Sequence, residues 1–276
     1  MKRTCVLTAA GVFLAAGPAL AALNDYDGFD YAQNAIHTLS GGSGWNGAYN
    51  DTDGDYSNSL TNDGVSLNTA SFPFAASVVG SRMKVAAGEV IRPVSPASSI
   101  AMNADGNTLY VSFLMKKINM DHASGDYMEV DITTSNQTTR QLRMGISDDD
   151  QFYIGNNTTQ YAMKAGAAVL NETYFVVGKM LSRASSPDEL FMNVYGPGDA
   201  VPLTEPSTWL LSATATYNAV PINVRIETGG GTTAPVFAEF DELRIGTTWA
   251  GVAVPEPAGV ALVGLGGLLL ARRRRG

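Results

Sequence analysis

From residue 65 to residue 245 the chain repeats one device: a short run of mostly alternating residues, closed by Asn, Asp, Gly or Pro. Leu109, Val111, Phe113 and Met115, for example, alternate with Tyr110, Ser112 and Leu114. A period of two sends successive side chains to opposite faces of a strand. The pattern predicts strands at 65–67, 77–85, 89–93, 108–117, 126–133, 139–147, 151–155, 161–165, 173–181, 189–194, 209–215, 222–227 and 237–245. Turn residues recurring roughly every ten positions argue for an antiparallel all-β sandwich. Pro93 and Pro96 close a strand, and the stretch from Pro197 to Pro206 reads as a loop. Helical periodicity is hard to find except at the two ends of the chain.

At the first end, Lys2 and Arg3 precede an apolar run from Val6 to Ala16, a Gly17-Pro18 break and Ala19-Leu20-Ala21. A basic start, an apolar centre and the small residues Ala19 and Ala21 make residues 1–22 a secretory signal peptide with an N-terminal signal helix. Its removal by signal peptidase would take away Cys5, the sole cysteine, so the mature chain would hold no disulfide and no cysteine ligand. The other end carries Val254, Pro255, Glu256 and Pro257, an apolar run from Ala258 to Ala271, and then Arg272, Arg273, Arg274 and Arg275. As a helix the run of 14 residues rises only about 21 Å, against roughly 30 Å of hydrocarbon. Snorkelling arginines and the upstream Val252-Ala253-Val254 extend its reach.

The chain therefore divides into a signal peptide (1–22), an ectodomain (23–250), a linker with the Pro-Glu-Pro motif (251–257), a C-terminal transmembrane helix (258–271) and a basic cytoplasmic stop (272–276). The arginine block follows the positive-inside rule and places the ectodomain outside the cytoplasm. This tail resembles the PEP-CTERM sorting signal of Gram-negative bacteria over about its last 23 residues. The resemblance implies recognition by an exosortase at the inner membrane and processing of the tail. The mature protein would then reside at the cell surface or in the extracellular matrix. A tail anchor that is never cleaved is the alternative.

Between the two ends, residues 22–257 hold 12 basic and 26 acidic residues, a formal charge of −14. Such a domain repels nucleic acid and anionic membrane surfaces, and suits divalent cations or neutral glycans. Asp51, Asp53 and Asp55 alternate beside Gly54 and are candidate ligands for Ca²⁺, which takes oxygens from flexible loops. The EF-hand pattern fails there, because Tyr56 occupies the glycine position and Asn62 that of the bidentate glutamate. The default reading of this stretch is a solvated acidic turn.

Two further stretches resemble one family. Gly28-Phe29-Asp30-Tyr31 followed by Gly41-Gly42-Ser43-Gly44-Trp45-Asn46-Gly47-Ala48, and the closing Phe240-Asp241-Glu242-Leu243-Arg244-Ile245-Gly246 with Trp249, are similar to concanavalin A-like, laminin-G-like jelly rolls. That resemblance implies that residues 26–31 and 237–245 lie together in one sheet. It also leaves about nine residues between the last strand and Pro255. Trp45 reads either as a packing residue or as a sugar platform.

The sharpest enzymatic resemblance is Glu129-Val130-Asp131-Ile132-Thr133, which looks like the Glu-x-Asp-x-(x)-Glu strand of family-16 glycoside hydrolases. A retaining glycosidase needs two carboxyl groups about 5–5.5 Å apart. Thr133, or Thr134 across a bulge, stands where the second glutamate is required, so the linear motif is incomplete. The two histidines, His37 and His122, have no metal-ligand spacing, and phosphate-binding, dinucleotide-binding and nucleophile-elbow motifs are absent. The expected function is non-catalytic carbohydrate binding, with Trp45, Tyr127, Glu129 and Asp131 as candidate ligand contacts and a polysaccharide as the partner. A structural matrix protein and a degenerate glycosidase are the alternatives.

Overall fold

The computed structural model describes residues 23–32, 36–50, 59–62, 65–67, 81–85, 88–119, 125–134, 139–157, 159–215, 220–229 and 237–253. The signal peptide, the candidate calcium ligands Asp51, Asp53 and Asp55, and the tail from Val254 onward lie outside the described residues. Among the described residues, no helix is long and apolar enough to cross a membrane.

The strands are β1 (Leu23–Asp27), β2 (Ser59–Asn62), β3 (Met83–Val85), β4 (Gly88–Pro93), β5 (Thr108–Asn119), β6 (Tyr127–Thr133) and β7 (Arg140–Ile146). They continue as β8 (Phe152–Gly155), β9 (Met163–Ala165), β10 (Thr173–Leu181), β11 (Asp188–Tyr195), β12 (Leu211–Ala215), β13 (Asn223–Gly229) and β14 (Phe237–Gly246), followed by a short helix, α1 (Trp249–Ala253). An eight-stranded sheet runs β12-β11-β10-β5-β14-β3-β2, with β1 also pairing β14. A six-stranded sheet runs β4-β13-β6-β7-β8-β9. All pairings between these strands are antiparallel.

One core fills the space between the sheets. Met83, Val111, Phe113, Val176 and Met192 from the larger sheet belong to the same buried cluster as Val90, Val130, Met144, Ile154 and Ile226 from the smaller. Packing is close enough that a Cβ added at Gly178 would sit 1.9 Å from the Met144 sulfur. A second, smaller apolar cluster lies on the other face of the large sheet. There Tyr110, Leu114, Phe175 and Val177 are covered by Val201, Trp249, Val252 and Ala253.

The expected pairing of the first and last strands is present: Asp27 lies opposite Leu243 and Leu23 opposite Gly246. The first strand ends at Asp27 rather than Tyr31, because Asp27 accepts a hydrogen bond from the Phe29 amide (2.7 Å) and Phe29 adopts φ +51°. Residues 65–67 do not form the predicted strand; Leu67 is instead held by its amide donating to Asp241 (2.9 Å). Strand β2 and the five-residue helix α1 lie outside the predicted elements. A single apolar turn such as α1 is too short to show a helical period.

Candidate functional site

Strand β6 turns Tyr127, Glu129, Asp131 and Thr133 to one face of the six-stranded sheet, while Met128, Val130 and Ile132 enter the core. The flanking strands complete the face. Opposite Glu129 lie Glu227 on β13 and Gly145 on β7; opposite Asp131 lie Arg225 and Arg143. Tyr153 faces Gly145, and Arg140 faces Thr133 beyond an irregularity after Ile132. The result is a checkerboard of carboxylates, guanidiniums and phenols laid over an apolar core.

Hydrogen bonds fix each group. Arg143 grips Glu129 with both ends of its fork, at 2.9 Å from Nε and 2.6 Å from Nη2. The Tyr153 hydroxyl donates to the same carboxylate. Glu227 accepts from Tyr127 Oη (2.6 Å) and Arg140 Nη2 (2.8 Å), and pairs with Arg225 Nη2 (2.7 Å). Arg225 also pairs with Glu89 on edge strand β4. Asp131 lies within ion-pair range of Arg140 (3.0 Å) and Arg143 (3.8 Å), yet neither of its oxygens makes a hydrogen bond.

Burial separates a floor from a rim. Glu129, Asp131, Arg143 and Tyr153 are buried. Tyr127, Arg140 and Tyr161 are half-buried, with Tyr161 set edge-on to Tyr153 (4.7 Å) and Lys164 above the Tyr161 ring (4.3 Å). The electrostatics follow from this layering. Burial, offset by Arg143, pushes Glu129 up. Asp131 goes well above the usual carboxylate range through burial and the neighbouring Glu129 charge. Glu227 is also desolvated, but Arg225 and Arg140 outweigh the burial and hold it low. Burial and then Glu227 push the Tyr127 phenol up, and burial and then Asp148 push Tyr161 up to about 12. Both phenols therefore remain protonated donors at neutral pH.

Carboxylate oxygens of Glu129, Asp131 and Glu227 approach within 4.8 Å of one another. Three guanidiniums already meet these oxygens, and their charge opposes a cation at the same place. The cluster fits an ion-pair network better than a metal centre. A second glutamate, Glu227, lies beside Glu129 on the adjacent strand, opposite it rather than at position 133. Thr133 is buried and lies 3.5 Å from the Asn223 amide nitrogen.

Three of the four expected ligand contacts, Tyr127, Glu129 and Asp131, thus share one face, and Trp45 does not join them. Its indole covers the buried Arg92 guanidinium (4.5 Å) and donates to the Tyr26 carbonyl (2.9 Å). Arg92 pairs with Asp27 and reaches the carbonyls of Gly47 (3.1 Å) and Gly41 (2.7 Å). The glycine-rich loop therefore wraps a core ion pair. Gly42 is required there: its φ is +68°, and a Cβ would lie 2.0 Å from the Tyr26 carbonyl oxygen. Arg140, Arg143, Arg225 and Glu227 were not anticipated. The alternation Asn223-Arg225-Glu227 signals a polar strand face, but the pairing of β13 with β6 has no local signature.

No protein-family model matches the chain, and no curated protein matches its sequence. Its fold is similar to that of an endo-β-1,4-glucuronan lyase from the fungus Trichoderma reesei. The two are 12% identical with a TM-score of 0.52, covering 84% of this chain and 98% of the lyase. An alginate lyase superimposes with a TM-score of 0.48 at 14% identity, covering 83% of this chain and 98% of that one. A Trypanosoma rangeli sialidase does so at 0.43 and 12%, covering 84% of this chain and 32% of the sialidase. At 12% identity the likeness to the glucuronan lyase is one of fold: a jelly-roll-like β-sandwich.

Proposed function

We propose that this is an exported cell-surface or matrix protein whose sandwich binds carbohydrate without transforming it. The observation that carries the reading is the polar face of the six-stranded sheet. A rigid floor of paired charges holds Tyr127, Arg140 and Tyr161 half-exposed at its rim. The Tyr161 hydroxyl and the Arg140 guanidinium fixed in this way offer hydrogen-bond donors, and the Tyr127 and Tyr161 rings offer apolar surface, with little reorganisation needed on binding a sugar.

Several features support binding over catalysis. Glu129 has no exposed surface and is held by both Arg143 and Tyr153. Glu129 and Glu227 approach closely enough to suggest a hydrolytic pair, but each is held by guanidinium groups.

In this reading, signal peptidase and an exosortase act during export. Val254 to Pro257 and Arg272 to Arg275 serve as a sorting handle that is removed at the inner membrane. A glycan array probed with the full chain and with Arg140→Ala tests the binding reading. Binding that weakens by about tenfold in the variant supports it, on the scale of one lost charged hydrogen bond. A blank array sinks it, and cleavage of any polysaccharide would overturn the non-catalytic part. The mass of the surface form tests the handle, since retention of Arg272 to Arg275 would make the tail a permanent anchor.

A further inference from the structure

A cleft of about 590 Å³ opens at the margin of the sandwich, against the segment that also carries Tyr161. It lies between the segment 156–163 joining β8 to β9 and the edge strands β11 and β12. Its volume falls within the roughly 300–1,000 Å³ common for small-ligand sites. Asn156 ties its two sides together: the side-chain nitrogen donates to the Thr214 carbonyl (3.0 Å), and the side-chain oxygen accepts from the Thr159 amide (3.1 Å). One hydrogen bond thereby crosses from wall to wall, and the other braces the 156–159 turn.

The lining limits the ligand chemistry. Thr159, Ser212 and Thr214 line the cleft together with Met163 and Phe191, and Ser212 lies opposite Phe191 in the β11–β12 pair. Ser212 and Thr214 are exposed, Met163 is 47% exposed, and Phe191 is half-buried. Phe191 also begins an aromatic path over the large sheet, with its ring 5.6 Å from Trp209 and Trp209 edge-on to Trp249 (5.8 Å). The one charged lining residue, Glu189, is neutralised by Arg183, at 3.0 Å from Nε and 2.8 Å from Nη2.

We infer that this cleft is a second binding site, which takes an uncharged oligosaccharide. A pyranose has apolar C–H faces and a hydroxyl edge, and the cleft offers an apolar surface beside a row of hydroxyls. An anionic polysaccharide finds no uncompensated cation in the lining and meets a domain of formal charge −14. A peptide adding as a further strand is disfavoured as well. β12 is only five residues long, and Asn156 already occupies its Thr214 carbonyl. The cleft lining shares no residue with the charged face, although Tyr161 of that face lies in the same connecting segment.

The test uses the full chain, titrated calorimetrically with cello-oligosaccharides as the neutral probe and oligogalacturonates as the charged one. Thr214→Arg places a long side chain in the cleft from an exposed position, where folding should be unaffected. Phe191→Ala removes the apolar wall. The expected result is binding of the neutral probe that falls at least about tenfold in both variants, a 1.4 kcal/mol effect. Neutral binding that survives Thr214→Arg would overturn the site. Equal or tighter binding of the uronate would overturn the ligand class, as would saturation by an unrelated extended peptide. Uronate binding lost only in Arg140→Ala would remove the cleft proposal and leave the charged face standing. Absence of binding to either probe overturns this inference, and a blank glycan array would overturn both.

Discussion

Arg143 and Glu129 are the pair on which the charged face depends. Replacing Arg143 with Met leaves a fully buried carboxylate without its bidentate partner, which should cost about 3–5 kcal/mol. Urea denaturation should show the loss, and adding Glu129→Gln should recover part of it, because the uncompensated charge is then gone. Asp241 offers a separate test through pH. Burial, opposed by hydrogen bonds from Ser66 and Leu67, raises its carboxyl from 3.8 to about 7. The folded state therefore holds a proton that the unfolded chain releases near 3.8. The stabilisation from neutral Asp241 is complete below that value and lost as pH rises through about 7. Stability measured across this window should decline with pH by a few kcal/mol at most, since each tenfold difference in proton affinity is worth roughly 1.4 kcal/mol. Asp241→Asn should flatten that component; an unchanged slope would assign the pH dependence to other groups.

Strands carry most of what the sequence discloses. β5, β6, β7 and β10 lie close to the predicted runs, because alternation over seven or more residues with one face in the core leaves little freedom of register. The side of β6 that bears Tyr127, Glu129 and Asp131 follows from the same alternation. Its partners do not. Arg225 and Glu227 come from nearly a hundred residues downstream, and their register against Asp131 and Glu129 is set by the fold as a whole. Trp45 shows the converse: glycines around an aromatic residue suggest a displayed platform, but the loop folds onto Arg92, whose burial has no local signature. Glycines on the strands test the packing. A Cβ at Gly145 would meet the Met128 carbonyl oxygen at 1.9 Å, whereas one at Gly178 meets the Met144 sulfur and methyl. Backbone cannot yield, but a methionine can rotate. Gly145→Ala should therefore lower the melting temperature more than Gly178→Ala, whose cost should lie near 1–3 kcal/mol. Equal effects would mean that the β6–β7 pair yields more readily than its register implies.

At the scale of the molecule, the large sheet is covered on both sides. Its second cover is held in place by Trp249 donating to the Pro202 carbonyl (2.9 Å) and by Ser112 donating to the Val252 carbonyl (2.7 Å). Trp249→Ala should cost about 3–5 kcal/mol by emptying this outer cluster, with exchange of the Val252 and Ala253 amides rising more than that of β5. Ala253 is 1% exposed, so the run of about nine residues expected between the last strand and Pro255 shrinks to Val254 alone. One residue spans at most about 3.6 Å. An enzyme that grips Pro255-Glu256-Pro257 would have almost no slack to draw on and would have to pull directly against the last turn of the fold. Under the sorting proposed above, its hold on the chain would report whether this domain has finished folding; Trp249→Ala should then speed release of the tail in cells, and an unchanged release rate would refute the link.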